Sequence, residues 1–286
     1  MSALPRSFAA YQRRVTAELE RLVPRDQPVE RAMAYTALAP SKQVRAVLVL
    51  ACADLCGGDV DRAVPAAAAI ELVHSSSLIL DDLPSMDDAP RRRGKRANHL
   101  EFGEAIAILA AFGLLNLAFG TFARAYEPEL ASRLIAVTSD AIGPSGLIGG
   151  QAIDLLATDQ QINFETLERI HRSKTGALFV AAATCGAATA GAAAEPIAAL
   201  TAFAKNLGLA FQIVDDLLDV EGDPAVTGKA VREDARKTTF VSFSGVEGAR
   251  QLAAELCETA DRALASFGGK ADRLRELSAF VASRRL

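Results

Sequence analysis

The chain has 286 residues, of which 50% are apolar and 23% are charged, a composition typical of a globular protein with a sizeable buried core. Its formal net charge is only −4, so the overall charge does not indicate a nucleic-acid partner. The four cysteines lack the additional ligands that a zinc site needs at metal spacing, and we expect free thiols in a reducing cytoplasm.

Nearly every segment of the chain has the composition of a helix. Ala and Leu, both strong helix formers, dominate, and alternating runs of β-branched residues are scarce. The predicted helices, in chain order, span residues 6–23, 27–38, 42–56, 63–82, 102–126, 128–140, 145–157, 164–172, 175–191, 196–220, 246–267 and 270–284. No Pro- or Ser-rich linker divides them, which predicts one all-α domain over residues 1–286. Helices that are apolar on most faces, such as 102–126, indicate a multi-helix bundle or a dimer interface.

Two apolar features bear on membrane insertion. The N-terminal segment has no apolar core of the kind found in signal peptides. Residues 105–123 contain no charged residue and approach the length of a membrane span, but Gly113, Asn116 and Gly120 interrupt them. We therefore expect a buried central helix there, no membrane span and a cytoplasmic protein.

The first acidic cluster lies where the helix 63–82 ends. Asp81 and Asp82 occupy its last turn, Pro84 cannot continue the helix, and Asp87 follows in a loop that can fold back. Carboxylates at a helix C-terminus are unfavourable because the macrodipole is negative there. The pattern therefore predicts a bound cation.

The second acidic cluster lies inside the helix 196–220. Asp215 and Asp219 are four residues apart and share a helix face, with Asp216 beside them and apolar residues around all three. Either cluster alone is compatible with a solvated acidic helix end. Two of them on apolar helices favour bound Mg²⁺, which prefers oxygen ligands and is usually shared with substrate phosphates.

Basic residues accompany both clusters. A run of cationic residues, 91–96, follows the first cluster, and Lys42 and Arg45 open an earlier helix, where the N-terminus also favours anions. Lys174 opens a later helix, and Lys229 and Lys237 follow the second cluster. Each is also compatible with a solvated surface charge. Together they provide the cations that two diphosphate groups require.

These motifs, in this order, resemble those of the polyprenyl synthetase family, which includes farnesyl and geranylgeranyl diphosphate synthases. The likeness extends from about Ser41 to Leu256. The motifs that carry it are Asp81-Asp82 with Asp87, Arg92-Arg93-Gly94, Gly149-Gly150-Gln151 with Asp154, His171 to Gly176, and Phe211-Gln212 with Asp215, Asp216 and Asp219.

The resemblance implies an isoprenoid synthase fold, a bundle of helices around a deep central cavity, and a homodimer. It implies that isopentenyl diphosphate is held by Lys42, Arg45, His74 and Arg93. It implies that the allylic diphosphate is held by Arg92, Lys174, Thr175, Gln212 and Lys229, with Lys237 a weaker candidate. Asp81, Asp87 and Asp215 would be the main magnesium ligands, assisted by Asp82, Asp216 and Asp219. Three Mg²⁺ ions, replaceable by Mn²⁺, are expected with substrate bound.

The activity that the resemblance implies is a head-to-tail 1′-4 condensation of isopentenyl diphosphate with an allylic diphosphate. Asp81, Asp82, Asp87, Lys174, Asp215, Asp216 and Lys229 are its expected catalytic residues. The sequence departs from the family at Gln43, where an Arg is usual, and at Ala46, where a Pro is usual. We expect weaker binding of isopentenyl diphosphate as a result.

The length of the product is expected to depend on the tunnel beneath Asp81. Ser76 lies five residues before Asp81, roughly 7.5 Å deeper along a helix. In the family, an aromatic residue at this position tends to stop growth at fifteen carbons. Ser76 and its neighbour Ser77 predict an open tunnel and geranylgeranyl diphosphate, with Phe112 as a floor; farnesyl diphosphate or a longer chain is the alternative.

Three other functions are compatible with parts of the pattern. A terpene cyclase often keeps the first aspartate motif but not an aspartate-rich second one. A non-catalytic partner subunit of a prenyltransferase usually loses an aspartate motif. A ferritin-like di-iron protein is formally matched by Glu71 with His74 and by Glu168 with His171, although the bridging glutamates are missing.

Overall fold

The computed structural model describes residues 4–221 and 237–283. Within these ranges the helices are α1 (Ala9–Leu22), α2 (Pro28–Ala37), α3 (Val44–Leu55), α4 (Val60–Asp81), α5 (Asn98–Phe102), α6 (Glu104–Ala125), α7 (Pro128–Ile142), α8 (Leu147–Ala157), α9 (Phe164–His171), α10 (Ala177–Thr189), α11 (Ala194–Glu221), α12 (Phe240–Ala263) and α13 (Asp272–Ala282). A π-helical segment, Arg172–Gly176, joins α9 to α10. The only strands in the described ranges are β1 (Arg91–Arg92) and β2 (Lys95–Arg96), which pair as a hairpin. The predicted all-α fold class is confirmed.

Local sequence signals account for several helix ends. The Asp59 side chain accepts a hydrogen bond from the backbone N–H of Asp61 and so caps α4. Thr239 caps α12 in a reciprocal capping box with Ser242. These caps fix the start of α4 and α12, two of the helices that carry or contact the acidic clusters.

The apolar core lies between α3, α4, α10 and α11. Ten consecutive residues of α3, from Val44 to Ala53, are buried, which explains why the sequence shows no polar face there. Small residues bring these helices close together: a Cβ atom on Gly186 of α10 would lie only 2.2 Å from the carbonyl oxygen of Val49 in α3. A second apolar cluster packs α11 against α9 and α12 around Ile213, Leu217 and Phe240.

Several predicted helices have different bounds in the structure. The predicted helix 102–126 is broken at Gly103, whose φ of 84° is a left-handed conformation that favours glycine. The helix predicted to begin at residue 246 is preceded by a short helical segment from Phe240, and the two are separated by a kink at Gly245, whose φ of 71° is not helical. The hairpin β1–β2 was not predicted, because two-residue strands carry no periodic signal.

The prediction that residues 105–123 form a buried central helix is wrong in part. One side of α6 packs against α4 and α2, but Leu109 and Phe112 on its other side are 55% and 62% exposed. By length and composition, α4, α6 and α11 could each cross a membrane, and 67%, 39% and 50% of their most apolar windows are buried within the protein. The four cysteines are free thiols, as expected.

Candidate active site

The first acidic cluster is built by the end of α4 and the loop behind it. Asp81 is the last residue of α4, and the backbone N–H of Asp87 donates to the carbonyl oxygen of Asp81 at 2.9 Å. The chain therefore folds back after Pro84, as predicted. Asp82 is buried, and its carboxylate accepts a 2.9 Å hydrogen bond from Nε of Arg92 in β1. The hairpin thus brings an arginine of the basic run onto the acid.

Asp81 is a partly buried carboxyl at the centre of this cluster. Burial raises its pKa, and the neighbouring carboxylates of Asp87 and Asp82 act in the same direction. The positive charges of Lys174 and Arg92 oppose the rise without cancelling it. A further cation at Asp81 would therefore stabilise its charged form.

A chain of charged side chains leads from this loop to the π-helical segment. Nζ of Lys237 lies 2.8 Å from Oδ1 of Asp87 and 3.0 Å from Oδ2 of Asp154, and Nζ of Lys174 lies 2.8 Å from the same oxygen of Asp154. Burial alone would raise the pKa of Asp154, but the two lysines outweigh it and hold the pKa below its usual value. The four residues Asp87, Lys237, Asp154 and Lys174 are called the lysine–aspartate chain below.

Close backbone contacts fix the position of Lys174. A Cβ atom on Gly150 of α8 would lie 2.4 Å from the backbone nitrogen of Lys174, and one on Gly208 of α11 would lie 3.0 Å from the Cα atom of Gly176. The π-helical segment is therefore clamped between two glycines. This explains the Gly-Gly-Gln motif physically, since a larger residue at 150 would push Lys174 away.

The second acidic cluster adjoins the same segment. Asp216 is buried, and its two oxygens accept 3.0 Å hydrogen bonds from Nε2 of Gln212 and from the backbone N–H of Phe240. The Thr175 hydroxyl donates to Oε1 of Gln212 at 2.9 Å. Asp215 and Asp219 are only partly buried. Asp216 thus fixes α11 to α12, while Asp215 and Asp219 lie on the more open side of α11.

Three of the four residues expected to hold isopentenyl diphosphate, Arg45, His74 and Arg93, lie near one another. Nη1 of Arg45 is 3.3 Å from Nε2 of His74, and the Arg45 guanidinium lies over the ring of Phe179 at 4.7 Å. Burial, together with Arg45, Arg93 and Arg92, holds the pKa of His74 well below its usual value, so the imidazole is neutral near pH 7. Lys42 lies beside α13, with its Nζ 5.9 Å from the ring centroid of Phe280.

The predicted chain-length residues are placed differently from one another. Ser76 is buried and its hydroxyl donates to the carbonyl oxygen of Ala111 in α6 at 2.8 Å. Ser77, four residues before Asp81 and therefore on its helix face, is partly buried. The expectation that Phe112 forms a tunnel floor is wrong for the single chain, because α6 turns that side chain to the outside.

The predicted metal ligands Asp82 and Asp87 of the first cluster contact side-chain cations in this structure. Among residues 4–221 and 237–283, no three His, Cys, Asp or Glu side chains form a group that could hold a metal ion. The di-iron alternative gains no support: His74 contacts Arg45, whereas His171 packs 5.1 Å from the ring of Phe240. Lys229 lies outside the described residues.

The sequence pattern includes Asp154 in a motif but predicts no role for it, and it matches Glu71 only to the di-iron alternative. Asp154 joins two lysines of the site, and Glu71 lies 3.9 Å from Arg93. The spacing of Glu71 three residues before His74 was the available signal, since it places both side chains on one face of α4.

The sequence is similar to known proteins over most of its length. A sequence model of the polyprenyl synthetase family matches residues 26–266. The chain is 42% identical over 282 residues to geranylgeranyl pyrophosphate synthase 11, chloroplastic, of Arabidopsis thaliana, a match that covers 94% of this chain and 79% of that protein. It is 39% identical over 284 residues to geranylgeranyl diphosphate synthase of Cyanophora paradoxa, with 96% and 95% covered.

A solved structure resembles the fold over almost its whole length. The geranyltransferase from Helicobacter pylori, complexed with magnesium and isoprenyl diphosphate, superposes with a TM-score of 0.84 at 28% sequence identity. The match covers 98% of each chain. The helical bundle and the order of its helices along the chain are therefore shared with that geranyltransferase.

Proposed function

The chain belongs to the polyprenyl synthetase family and is a prenyltransferase, and from this premise we propose that it adds isopentenyl diphosphate to an allylic diphosphate. The reaction is a head-to-tail 1′-4 condensation with geranylgeranyl diphosphate as its main product. The observation that supports it most directly is the lysine–aspartate chain, in which Lys237 and Lys174 share Asp154 between the first acidic loop and the π-helical segment.

The donor set of the site fits magnesium. All of the acidic side chains offer oxygen ligands, which Mg²⁺ prefers, and burial raises the pKa of Asp81, so that an added cation would favour its charged form. Asp81, Asp87 and Asp215 would hold the ions, and the buried Asp82 and Asp216 would assist by fixing the positions of Arg92 and α12. Bound Mg²⁺ supplies positive charge that stabilises the departing diphosphate. Three ions with substrate bound, and replacement by Mn²⁺, are part of this proposal.

The basic residues hold the two substrates. Arg92, Lys174, Thr175, Gln212 and Lys237 bind and orient the allylic diphosphate, with Lys229 expected to join them. Lys42, Arg45, His74 and Arg93 bind the diphosphate of isopentenyl diphosphate. Both sets provide the charge-assisted hydrogen bonds that phosphate oxygens accept.

The bond changes follow from this arrangement. The C–O bond of the allylic diphosphate breaks, the double bond of isopentenyl diphosphate forms a new C–C bond to the allylic carbon, and the released diphosphate takes the proton that is lost. The apolar side chains of α4 and α11 exclude water from the allylic cation.

A second copy of the chain is the proposed partner. Leu109 and Phe112, 55% and 62% exposed on one side of α6, form part of an apolar face that a homodimer would cover. We also propose that the protein is cytoplasmic and that its three long apolar helices pack within the fold and the dimer instead of crossing a membrane. Light scattering coupled to size exclusion would test the dimer: a monomer at micromolar concentration contradicts it.

One experiment tests the reaction. Purified protein is incubated with Mg²⁺ and isopentenyl diphosphate plus dimethylallyl, geranyl or farnesyl diphosphate in turn, and the products are dephosphorylated and sized. A twenty-carbon alcohol is expected. A fifteen-carbon or longer alcohol would revise the product alone, and absence of any condensation product would reject the proposal. A cyclic product from an allylic diphosphate without isopentenyl diphosphate would identify a terpene cyclase.

A further inference from the structure

Glu71 is a buried acid among the basic residues of the site. It lies in α4 with only 2% of its surface exposed. The Ser41 hydroxyl donates to its Oε1 at 3.4 Å, and Nη2 of Arg93 lies 3.9 Å from the same oxygen. Oε2 is buried and accepts no hydrogen bond within the part of the chain that the structure describes. Burying a carboxylate in this way costs folding free energy unless nearby cations compensate its charge.

The groups that face Glu71 come from three elements. Arg93 belongs to the turn of the hairpin β1–β2, Arg45 to α3, and Ser41 to the segment before α3. Burial raises the pKa of Glu71, while Arg93, Arg45, Ser41 and the backbone of Ala46 act against the rise. His74, on the same face of α4, is held neutral by burial and by the surrounding arginines. Glu71 is therefore a buried acid that compensates both guanidinium groups, and Asp82 also acts on Arg93.

The hairpin turn gives Glu71 a mechanical role. Arg93 has a φ of 53°, a left-handed conformation that is unfavourable for a residue with a side chain. Its Nη1 donates to the carbonyl oxygen of Thr36 at 3.3 Å, and its Nη2 lies 3.9 Å from Oε1 of Glu71. Arg45 also acts on Glu71, and without this carboxylate the like charges of Arg45 and Arg93 would be less well compensated.

We propose that Glu71, oriented by Ser41, is a positioning residue that holds Arg93 and Arg45 together for the diphosphate of isopentenyl diphosphate. Glu71 does not touch the substrate; it acts through the two arginines. This inference rests on the proposed function, because it assigns these arginines to isopentenyl diphosphate.

Steady-state kinetics of Glu71→Gln test the role. The amide keeps the shape of the side chain but loses the charge, so the KM for isopentenyl diphosphate is expected to rise roughly tenfold. The kcat at saturating isopentenyl diphosphate and the KM for the allylic diphosphate are expected to change by less than about twofold. Ser41→Ala is expected to raise the KM for isopentenyl diphosphate about threefold, since it removes one weak hydrogen bond.

A matched control separates this effect from a loss of folding. Asp54→Asn removes another acid that is paired with an arginine, Arg273 at 2.7 Å, on a different part of the surface. It is expected to leave both KM values unchanged, and circular dichroism should show all variants folded. If Glu71→Gln raised both KM values equally or left both unchanged, the positioning role would be overturned.

A double-mutant cycle with Arg93→Gln supplies the second test. Because Glu71 acts through both Arg93 and Arg45, the double variant is expected to raise the KM for isopentenyl diphosphate by clearly less than the product of the two single changes. Multiplicative effects of the two changes would overturn the proposal.

Calorimetric titration of isopentenyl diphosphate into the wild type and Glu71→Gln separates the two levels of inference. If the wild type binds isopentenyl diphosphate but forms no product, the proposed function fails. A tenfold difference in Kd between the wild type and Glu71→Gln would then still support the role of Glu71. The positioning role of Glu71 would be overturned by equal Kd values in the two proteins, or by a wild type that binds no isopentenyl diphosphate.

Discussion

The two acidic clusters of this protein differ in the contacts that their aspartates make within residues 4–221 and 237–283. In the first, Asp82 and Asp87 contact the charged side chains of Arg92 and Lys237. In the second, the buried Asp216 accepts hydrogen bonds from an amide side chain and a backbone N–H. Long cationic side chains can be displaced by another cation or by a ligand anion, whereas a backbone donor cannot move away.

This difference assigns different tasks to the clusters. The first lies at the end of a helix and in a loop, so its acids can exchange partners when substrate and metal arrive. The second lies within the continuous helix α11, and Asp216 ties that helix to α12 through Phe240. The first cluster is therefore adaptable, whereas Asp216 gives the second a fixed frame.

Removing one carboxylate charge from either cluster should have the largest effect. Asp81→Asn and Asp215→Asn are each expected to lower kcat roughly 10³-fold, the loss that about 4 kcal/mol of transition-state stabilisation represents. Steady-state assays with Mg²⁺ check this, and excess EDTA should abolish the wild-type activity. Asp88→Asn, an exposed acid in the same loop, is the control and should change kcat by less than about twofold. Near-normal activity of either Asp81→Asn or Asp215→Asn would exclude the shared metal role.

The two clusters are also expected to differ in how much their buried aspartates contribute to the free energy of unfolding. Asp82→Asn leaves the buried guanidinium of Arg92 without its carboxylate and is expected to cost about 3 kcal/mol in the free energy of unfolding. Asp216→Asn keeps one acceptor oxygen for its two neutral donors and is expected to cost about 1–2 kcal/mol. Urea unfolding measures both, with Asp87→Asn, whose ion pair is partly exposed, expected to cost less than about 1 kcal/mol. The reverse order for Asp82 and Asp216 would refute the contrast drawn here.

Phenylalanine substitutions in α4, below the first cluster, are expected to have different effects on the two faces of the helix. Ser76→Phe forces a ring into the contact with Ala111 and is expected to cost about 1–3 kcal/mol of stability through overpacking. Ser77→Phe lies on the face of Asp81 and is expected to shorten the product with less loss of stability. Product sizing and thermal unfolding check these outcomes, with Ser77→Ala as the control for loss of the hydroxyl. An unchanged product length in Ser77→Phe would remove this residue from the account of chain length.

Asp154, which joins the clusters, should show its effect in the pH dependence of stability. Its pKa is lowered in the folded protein, so its contribution is complete above the ordinary pKa of 3.8 and is lost as the pH falls through the folded value. Asp154→Asn is expected to cost about 1–2 kcal/mol at pH 7, and the difference from the wild type should vanish well below pH 3.8. Urea unfolding over this pH range checks it, with the exposed Asp140→Asn as control. A difference that persisted undiminished in acid would show that the lysines are not the cause.

Particular residues show how far the sequence could be interpreted. Pro84 predicted the turn that brings Asp87 back to Asp81, because a proline cannot continue a helix whatever surrounds it. Phe112 was placed wrongly, because α6 is apolar on most faces and its periodicity does not say which side meets a neighbour. Asp154 carried no distinguishing local signal, since both of its lysine partners are distant in the chain.

The helical class, the family and the two acidic clusters with the basic residues near them could be predicted from the amino-acid sequence, because these depend on residue type and on spacing within one segment. The pairing of Arg92 with Asp82, the sharing of Asp154 by Lys237 and Lys174, the contact of Glu71 with Arg93 and the uncovered side of α6 became visible in the folded protein alone. These facts depend on the distances between segments that lie far apart in the chain. Those distances are set by the packing of whole helices, which no local pattern records.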